Sequence, residues 1–229
     1  MQIELEAMAI EMPHVEGHPN RLPFRGVLTL VDVPSDHPPS GAKDHRVMLT
    51  RAAAEKALPS LLGMALDFRP NLDGHDARMK VGVITSAEIV RADGKWQMAD
   101  GKTGGGVRPI SSLSAAYQIE IGGYIFAKDF PEIVELMRDP TQRQDQALGG
   151  TSGELGMSWE LANVVVADAS APVWVLTSAT FTGAAMLLRQ KAAYESTWIE
   201  LERPSEGHDF SRADPVEKGD PALAAEVRV

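Results

Sequence analysis

Short apolar stretches, some alternating with polar residues and some uninterrupted, are separated by segments rich in proline and glycine, and this spacing predicts a chain built mainly of β-strands. The predicted strands cover residues 25–33, 47–50, 64–68, 79–90, 116–126, 155–168 and 171–181. Ala169 and Ser170 separate the last two and favour a hairpin turn. Six or seven strands of this kind predict an α+β domain with a mainly antiparallel β-barrel or sheet as its core and helices at its periphery.

Helical spacing of apolar residues occurs in three other segments. RAAAEKALPSLL at 51–62 follows Thr50, which is placed as an N-cap, and Pro59 should kink or end this helix. DFPEIVELMRD at 129–139 has a proline early in the helix and a predicted buried face. That face consists of Ile133, Val134, Leu136 and Met137. GAAMLLRQKAAYESTWI at 183–199 also has roughly helical spacing and predicts a third helix.

The chain has 229 residues, of which 44% are apolar and 24% charged, enough for one globular core with tails. We expect an N-terminal arm at 1–22, a folded domain at 23–202 and a C-terminal tail at 203–229. The tail contains too few large apolar residues to offset the entropy of ordering it, so it is predicted to be disordered.

Composition excludes several classes of function. The chain contains no cysteine, which rules out disulfides, thiolate nucleophiles and cysteine-ligated metals. Its net charge of −10, without clustered Lys and Arg, argues against nucleic-acid binding. No apolar stretch is long enough to span a membrane, and the glutamates at the N-terminus are not typical of a secretory signal.

Two apparent ligand motifs do not fit their chemistry, so neither a cofactor nor a metal is expected. GKTGGG at 101–106 lacks the glycine spacing of a phosphate-binding loop, and no apolar strand leads directly into it. His14 and His18 are four residues apart, but Pro13 and Pro19 prevent the helix that would bring them together.

Without cysteine, covalent catalysis would have to come from serine, threonine, lysine or a carboxylate. A serine needs a base within hydrogen-bonding distance, usually a histidine held by a third group. Of the six histidines, only His45 and His75 lie outside proline-rich or disordered-looking sequence. His75 comes directly before the predicted strand 79–90, and Ser158 lies in the otherwise apolar segment LGMSWELANVVV. Taken singly, such residues are more often a solvated loop histidine and a packed strand serine.

The order and content of several segments resemble the prohead, or capsid maturation, proteases of tailed bacteriophages, which share a fold with the herpesvirus assemblins. The resemblance covers roughly residues 25–198. It is carried by RGVLTLVDVPS at 25–35, RVMLTRAAAEKALPSLLG at 46–63, GHDARMKVGVITSAEI at 74–89, YIFAKDFPEIVELMRD at 124–139, LGMSWEL at 155–161 and TFTGAAMLLRQKAAYESTW at 180–198.

The resemblance implies a catalytic pair, with Ser158 as nucleophile and His75 as general base. The third member stays open, because the strand 171–181 has neither the second histidine of assemblins nor a carboxylate. Glu160, on the same strand face as Ser158, and Asp76, beside His75, are the leading candidates, ahead of Asp73 and Asp168.

An oxyanion site is predicted at the backbone N–H groups of Thr182 and Gly183, at the start of the third predicted helix.

The resemblance further implies a serine endopeptidase that processes scaffold and capsid-protein extensions and also itself. Its partners would be the major capsid protein and the scaffold protein, and it would form a homo-oligomer. It would act in the host cytoplasm, inside the assembling prohead, without a cofactor. The alternative hypothesis is a head-assembly or scaffold factor with the same fold but no catalysis.

Overall fold

The computed structural model of the chain describes residues 17–92, 116–138 and 154–202. Most of the predicted arm, the whole predicted tail and the GKTGGG segment lie outside the described residues, as does His14. Within the described part of the chain, no helix is both long and apolar enough to cross a membrane.

In the described ranges, eight strands form one sheet. They are β1 (Leu22–Val31), β2 (Arg46–Leu49), β3 (Ala65–Phe68), β4 (Lys80–Arg91), β5 (Tyr117–Ile125), β6 (Leu155–Val166), β7 (Val173–Leu188) and β8 (Trp198–Leu201). Their order is β2-β7-β3-β4-β5-β1-β8, and β6 pairs along β7. The sheet is curled into a half-barrel, and β1 and β8 contact β6.

The α+β class was predicted, but the expected mainly antiparallel core is a mixed sheet. β2 and β3 both run parallel to β7, whereas β6 runs antiparallel to it. The chain reaches β3 from β2 through helix α1 (Arg51–Ala57), which returns it to the same direction. Parallel neighbours need such a crossover, and strand patterns alone do not reveal one.

The two helices of the described residues agree with the sequence. At α1, the Thr50 side chain accepts a hydrogen bond from the Ala53 N–H, as expected for an N-cap, and a 3-10 turn that contains Pro59 follows the helix. Helix α2 (Pro131–Arg138) begins with its proline. The residues that α2 buries are the four predicted ones, Ile133, Val134, Leu136 and Met137.

The third predicted helix is wrong, because β7 continues through this segment to Leu188 and only a short 3-10 turn, Arg189–Lys191, follows. Residues 183–188 are all buried. A strand covered on both faces loses its alternation, so the run GAAMLL cannot be distinguished from a helix by its pattern. Alanine, methionine and leucine also favour helix, and here tertiary pairing outweighs that preference.

The two faces of the sheet have different roles around the middle of β7. Leu66 on β3, Ala184 and Met186 on β7, and Met157 on β6 belong to the main hydrophobic core. Since neighbouring residues of a strand point to opposite faces, the residues between and beside them face away from this core. The candidate site lies on that other face.

Candidate active site

Ser158 lies in β6 next to Met157, and it is partly buried. Met157 is almost fully buried in the core, so the Ser158 hydroxyl points to the opposite face of the sheet. In the antiparallel register of β6 and β7, Ser158 lies directly opposite Ala185. The predicted nucleophile is therefore held by a paired strand rather than by a loop.

A row of residues crosses four neighbouring strands at this level. Ser158 on β6 pairs with Ala185 on β7, which pairs with Asp67 on β3, which pairs with Lys80 on β4. Ser158 and Asp67 thus stand two strand spacings apart, about 10 Å between their Cα atoms. Ala185 between them has a small side chain and leaves room for a ring.

The His75 imidazole occupies the space between Asp67 and Ser158. Its Nε2 lies 3.1 Å from Ser158 Oγ, and its Nδ1 lies 3.3 Å from Asp67 Oδ2. The side chain is 17% exposed, which leaves a reacting group a way to reach it. The structure thus brings together the two residues that the sequence named, although they are 83 positions apart.

The connection between β3 and β4 fixes the backbone around His75. The carbonyl of Leu72 accepts from the Leu188 N–H at 2.9 Å, which ties this loop to the end of β7. Asp76 closes the turn into β4, because its Oδ1 accepts from the Arg78 N–H at 2.9 Å. Asp76 therefore has a structural partner here.

Asp67 is the carboxylate that sequence reasoning did not name. Its side chain is only 2% exposed, and its Oδ1 accepts a charged hydrogen bond from Lys80 Nζ. A buried carboxylate needs such partners, and these hold the group still. The available signal was an aspartate in the apolar segment MALDF at 64–68, where a carboxylate is out of place unless it is paired.

A β-bulge sets the position of Lys80. Leu66 pairs with Gly82 and Asp67 with Lys80, so Val81 is the extra residue on β4. This extra residue changes the face that Lys80 presents and directs its side chain toward Asp67.

Glu160, the first candidate for third member, also approaches the imidazole. Its Oε1 lies 3.6 Å from His75 Nδ1, but its side chain is 52% exposed. The side chain lies over Gly183, where a Cβ would stand 2.6 Å from Glu160 Oε2. Because water screens an exposed carboxylate, Asp67 is better placed than Glu160 to orient and charge-stabilise the imidazole.

The two remaining acidic candidates lie in turns and have other partners. Asp73 accepts from Arg69 Nη1 at 3.1 Å. Asp168 accepts from the Ser170 hydroxyl and N–H, and these hydrogen bonds lower the pKa of its carboxyl group.

The predicted oxyanion residues lie close to the site but not at a helix N-terminus. Gly183 lies within the continuous strand β7 and pairs with Glu160, which is two residues after Ser158 on β6. Thr182 is the extra residue of a second bulge, since Glu160 pairs with Gly183 and Leu161 with Phe181. The free N–H groups of a helix start, on which that prediction rested, are therefore absent at these residues.

The geometry has a direct chemical consequence. If Nδ1 carries a proton and donates it to Asp67, Nε2 is free to accept the proton of the Ser158 hydroxyl. A negative charge on Asp67 then stabilises the imidazolium that forms. Serine, histidine and buried aspartate stand in the arrangement that nucleophilic catalysis requires.

Comparison of the chain with protein-family models, with curated proteins and with solved structures found no match.

Proposed function

We propose that the protein is a serine endopeptidase with Ser158 as nucleophile, His75 as general base and Asp67 as the group that orients the base. The observation that carries this proposal is the imidazole of His75, which has Ser158 Oγ at 3.1 Å from one nitrogen and the buried Asp67 carboxylate at 3.3 Å from the other.

The proposed reaction is acyl transfer in two stages. Ser158 Oγ attacks the peptide carbonyl carbon while its proton moves to His75 Nε2. The C–N bond then breaks, and the same proton passes to the leaving amine. Water then attacks the acyl carbon while its proton moves to His75 Nε2. The bond from the acyl carbon to Ser158 Oγ breaks, the proton returns from His75 to Oγ, and the acid product leaves.

The proposed biological role is the maturation of a tailed-phage capsid, inside the prohead in the host cytoplasm. It is supported by the resemblance of residues 25–198 to prohead proteases and by a curled α+β sheet that suits an assemblin-like fold. The substrates would be scaffold and major capsid protein, together with the chain itself. The sequence after Glu202 is a candidate for self-cleavage, and the protein would act as a homo-oligomer.

Covalent labelling tests the proposed chemistry. A fluorophosphonate should modify the wild type at Ser158, and Ser158→Ala and His75→Ala should each abolish labelling. Ser178→Ala and His37→Ala are matched controls, because both residues are exposed and lie outside the site. Equal labelling of all five proteins would rule out the proposed nucleophile.

Co-expression tests the proposed role. The wild type should shorten the scaffold and capsid proteins encoded with it, and Ser158→Ala should assemble proheads whose proteins stay full length. A head-assembly factor without catalysis gives another result: normal capsids from Ser158→Ala and no labelling of the wild type.

A further inference from the structure

Three potential metal ligands, from Asp67, His75 and Glu160, lie close together on the side of the imidazole away from Ser158. His75 Nδ1 lies 3.3 Å from Asp67 Oδ2 and 3.6 Å from Glu160 Oε1, and each of the three residues has one ligand atom within 4.8 Å of those of the other two. Glu160 comes this close to the imidazole because Gly183 beneath it has no side chain.

The two distances from Nδ1 match those between the ligands of a small tetrahedral cation. Zinc binds imidazole nitrogen and carboxylate oxygen at about 2.0–2.2 Å, which places neighbouring ligands about 3.3–3.6 Å apart in a tetrahedron. One imidazole and two carboxylates form a donor set that zinc accepts, with water as the fourth ligand. Lys80 holds the other oxygen of Asp67, which leaves Oδ2 to face His75 Nδ1.

We propose that Zn²⁺ binds Asp67, His75 and Glu160 and inhibits the protein reversibly; the inhibition rests on the proposed function, whereas the binding does not. Zinc on Nδ1 takes the lone pair of that nitrogen, and the imidazole proton must then reside on Nε2. An Nε2–H can donate to Ser158 Oγ but cannot accept its proton. Bound zinc therefore prevents His75 from acting as the general base, although the imidazole stays in place.

The same chemistry separates zinc from magnesium. Mg²⁺ demands near-ideal octahedral geometry, keeps several waters and prefers oxygen ligands. A site that includes an imidazole nitrogen and has three protein ligands on one side suits it poorly. Mg²⁺ at the same concentration should neither bind here nor inhibit.

Zinc binding is tested on the full chain in the Ser158→Ala background, which prevents self-cleavage, by competition with a chromophoric chelator. Adding His75→Ala should remove one equivalent of bound zinc. Adding Glu160→Gln should weaken that equivalent by at least about tenfold, since even residues outside the ligand shell are typically worth about 10- to 100-fold in metal affinity. Asp76→Asn is the matched control, because Asp76 lies beside His75 in the chain but accepts its hydrogen bond from the Arg78 N–H. This substitution should leave the zinc titration unchanged.

Inhibition is tested with Ser158 intact. Zinc should slow fluorophosphonate labelling, a chelator should restore it, and Glu160→Gln should raise the half-inhibiting zinc concentration by at least about tenfold. Identical zinc titrations for Ser158→Ala with and without His75→Ala would overturn the site. Tight binding without any slowing of labelling would overturn the inhibition. If the wild type is never labelled, the proposed function fails. The zinc titrations of the Ser158→Ala variants still show whether the zinc site exists.

Discussion

The Asp67→Asn substitution changes one atom of the site and should abolish most of the activity. Lys80 only donates hydrogen bonds, so the oxygen of the introduced amide will face Lys80 and its NH₂ group will face His75. The amide then donates to Nδ1 and leaves the imidazole proton on Nε2. The base is held in the wrong tautomer, and no negative charge is left to stabilise the imidazolium.

The separation of Asp67 from His75 sets the size of this effect. The Coulomb attraction between the Asp67 carboxylate and an imidazolium 3.3 Å away is about 5 kcal/mol at an effective dielectric constant of about 20. Lys80 is present in both proteins and leaves this difference unchanged, so the substitution corresponds to a rate about 5,000-fold lower. Glu160, at 3.6 Å but half exposed, is worth about 1 kcal/mol in a water-like dielectric, or a factor of about five.

The assay is the second-order rate constant of fluorophosphonate labelling, measured for the wild type, Asp67→Asn, Glu160→Gln and Asp76→Asn. Circular dichroism and urea unfolding should show that each variant is folded. We expect losses of about 5,000-fold for Asp67→Asn, about fivefold for Glu160→Gln and less than about twofold for Asp76→Asn. A folded Asp67→Asn protein within tenfold of wild type, or a larger loss in Glu160→Gln, would refute the assignment of Asp67 as the orienting group.

Three further substitutions test the surroundings of the site and the core. Ala185→Leu should fill the space that the His75 ring occupies and lower the labelling rate by at least about 100-fold in a folded protein, whereas Ala185→Gly should stay within about tenfold. Lys80→Met should leave Asp67 without its charged donor, lowering the free energy of unfolding by about 1–3 kcal/mol in urea titration and slowing labelling. Burial raises the pKa of the Tyr194 phenol, so the unfolded chain loses this proton first and wild-type stability should fall above about pH 10. Tyr194→Phe should be less stable at pH 8 but show a smaller fall between pH 8 and pH 11 in the same titration.

Local signals in the sequence were sufficient for the elements whose ends are marked by particular residues. Thr50 caps α1, Pro131 opens α2, and Ala169 and Ser170 form the turn between β6 and β7. Each of these signals acts within a few residues, so it can be recognised without knowing which strands pair.

The pairing of the strands could not be predicted from such local signals. Residues 183–188 form a strand because β3 and β6 pair with β7 along its two edges. β3 lies more than 100 positions earlier in the chain. The parallel direction of β2 and β3 depends on the path through α1. The mixed sheet and the long β7 therefore follow from tertiary contacts that no window of the sequence contains.

Part of the candidate site also depends on contacts between residues that are distant in the sequence. Ser158 and His75 were paired because their segments resemble those of a known family, since 83 positions separate them and neither is distinctive alone.

Asp67 could be noticed in the sequence, but its place next to His75 could not be predicted, because two non-local features create it. The parallel register with β7 places Asp67 one strand beyond Ala185, and the bulge at Val81 supplies Lys80 as its charged partner. A shift of β3 by one residue would turn Asp67 into the hydrophobic core and bring Leu66 or Phe68 to the imidazole. Burying an unpaired carboxylate is so costly that this shifted register is strongly disfavoured. Asp67, the proposed orienting residue, thus also helps to fix the register that places it beside His75.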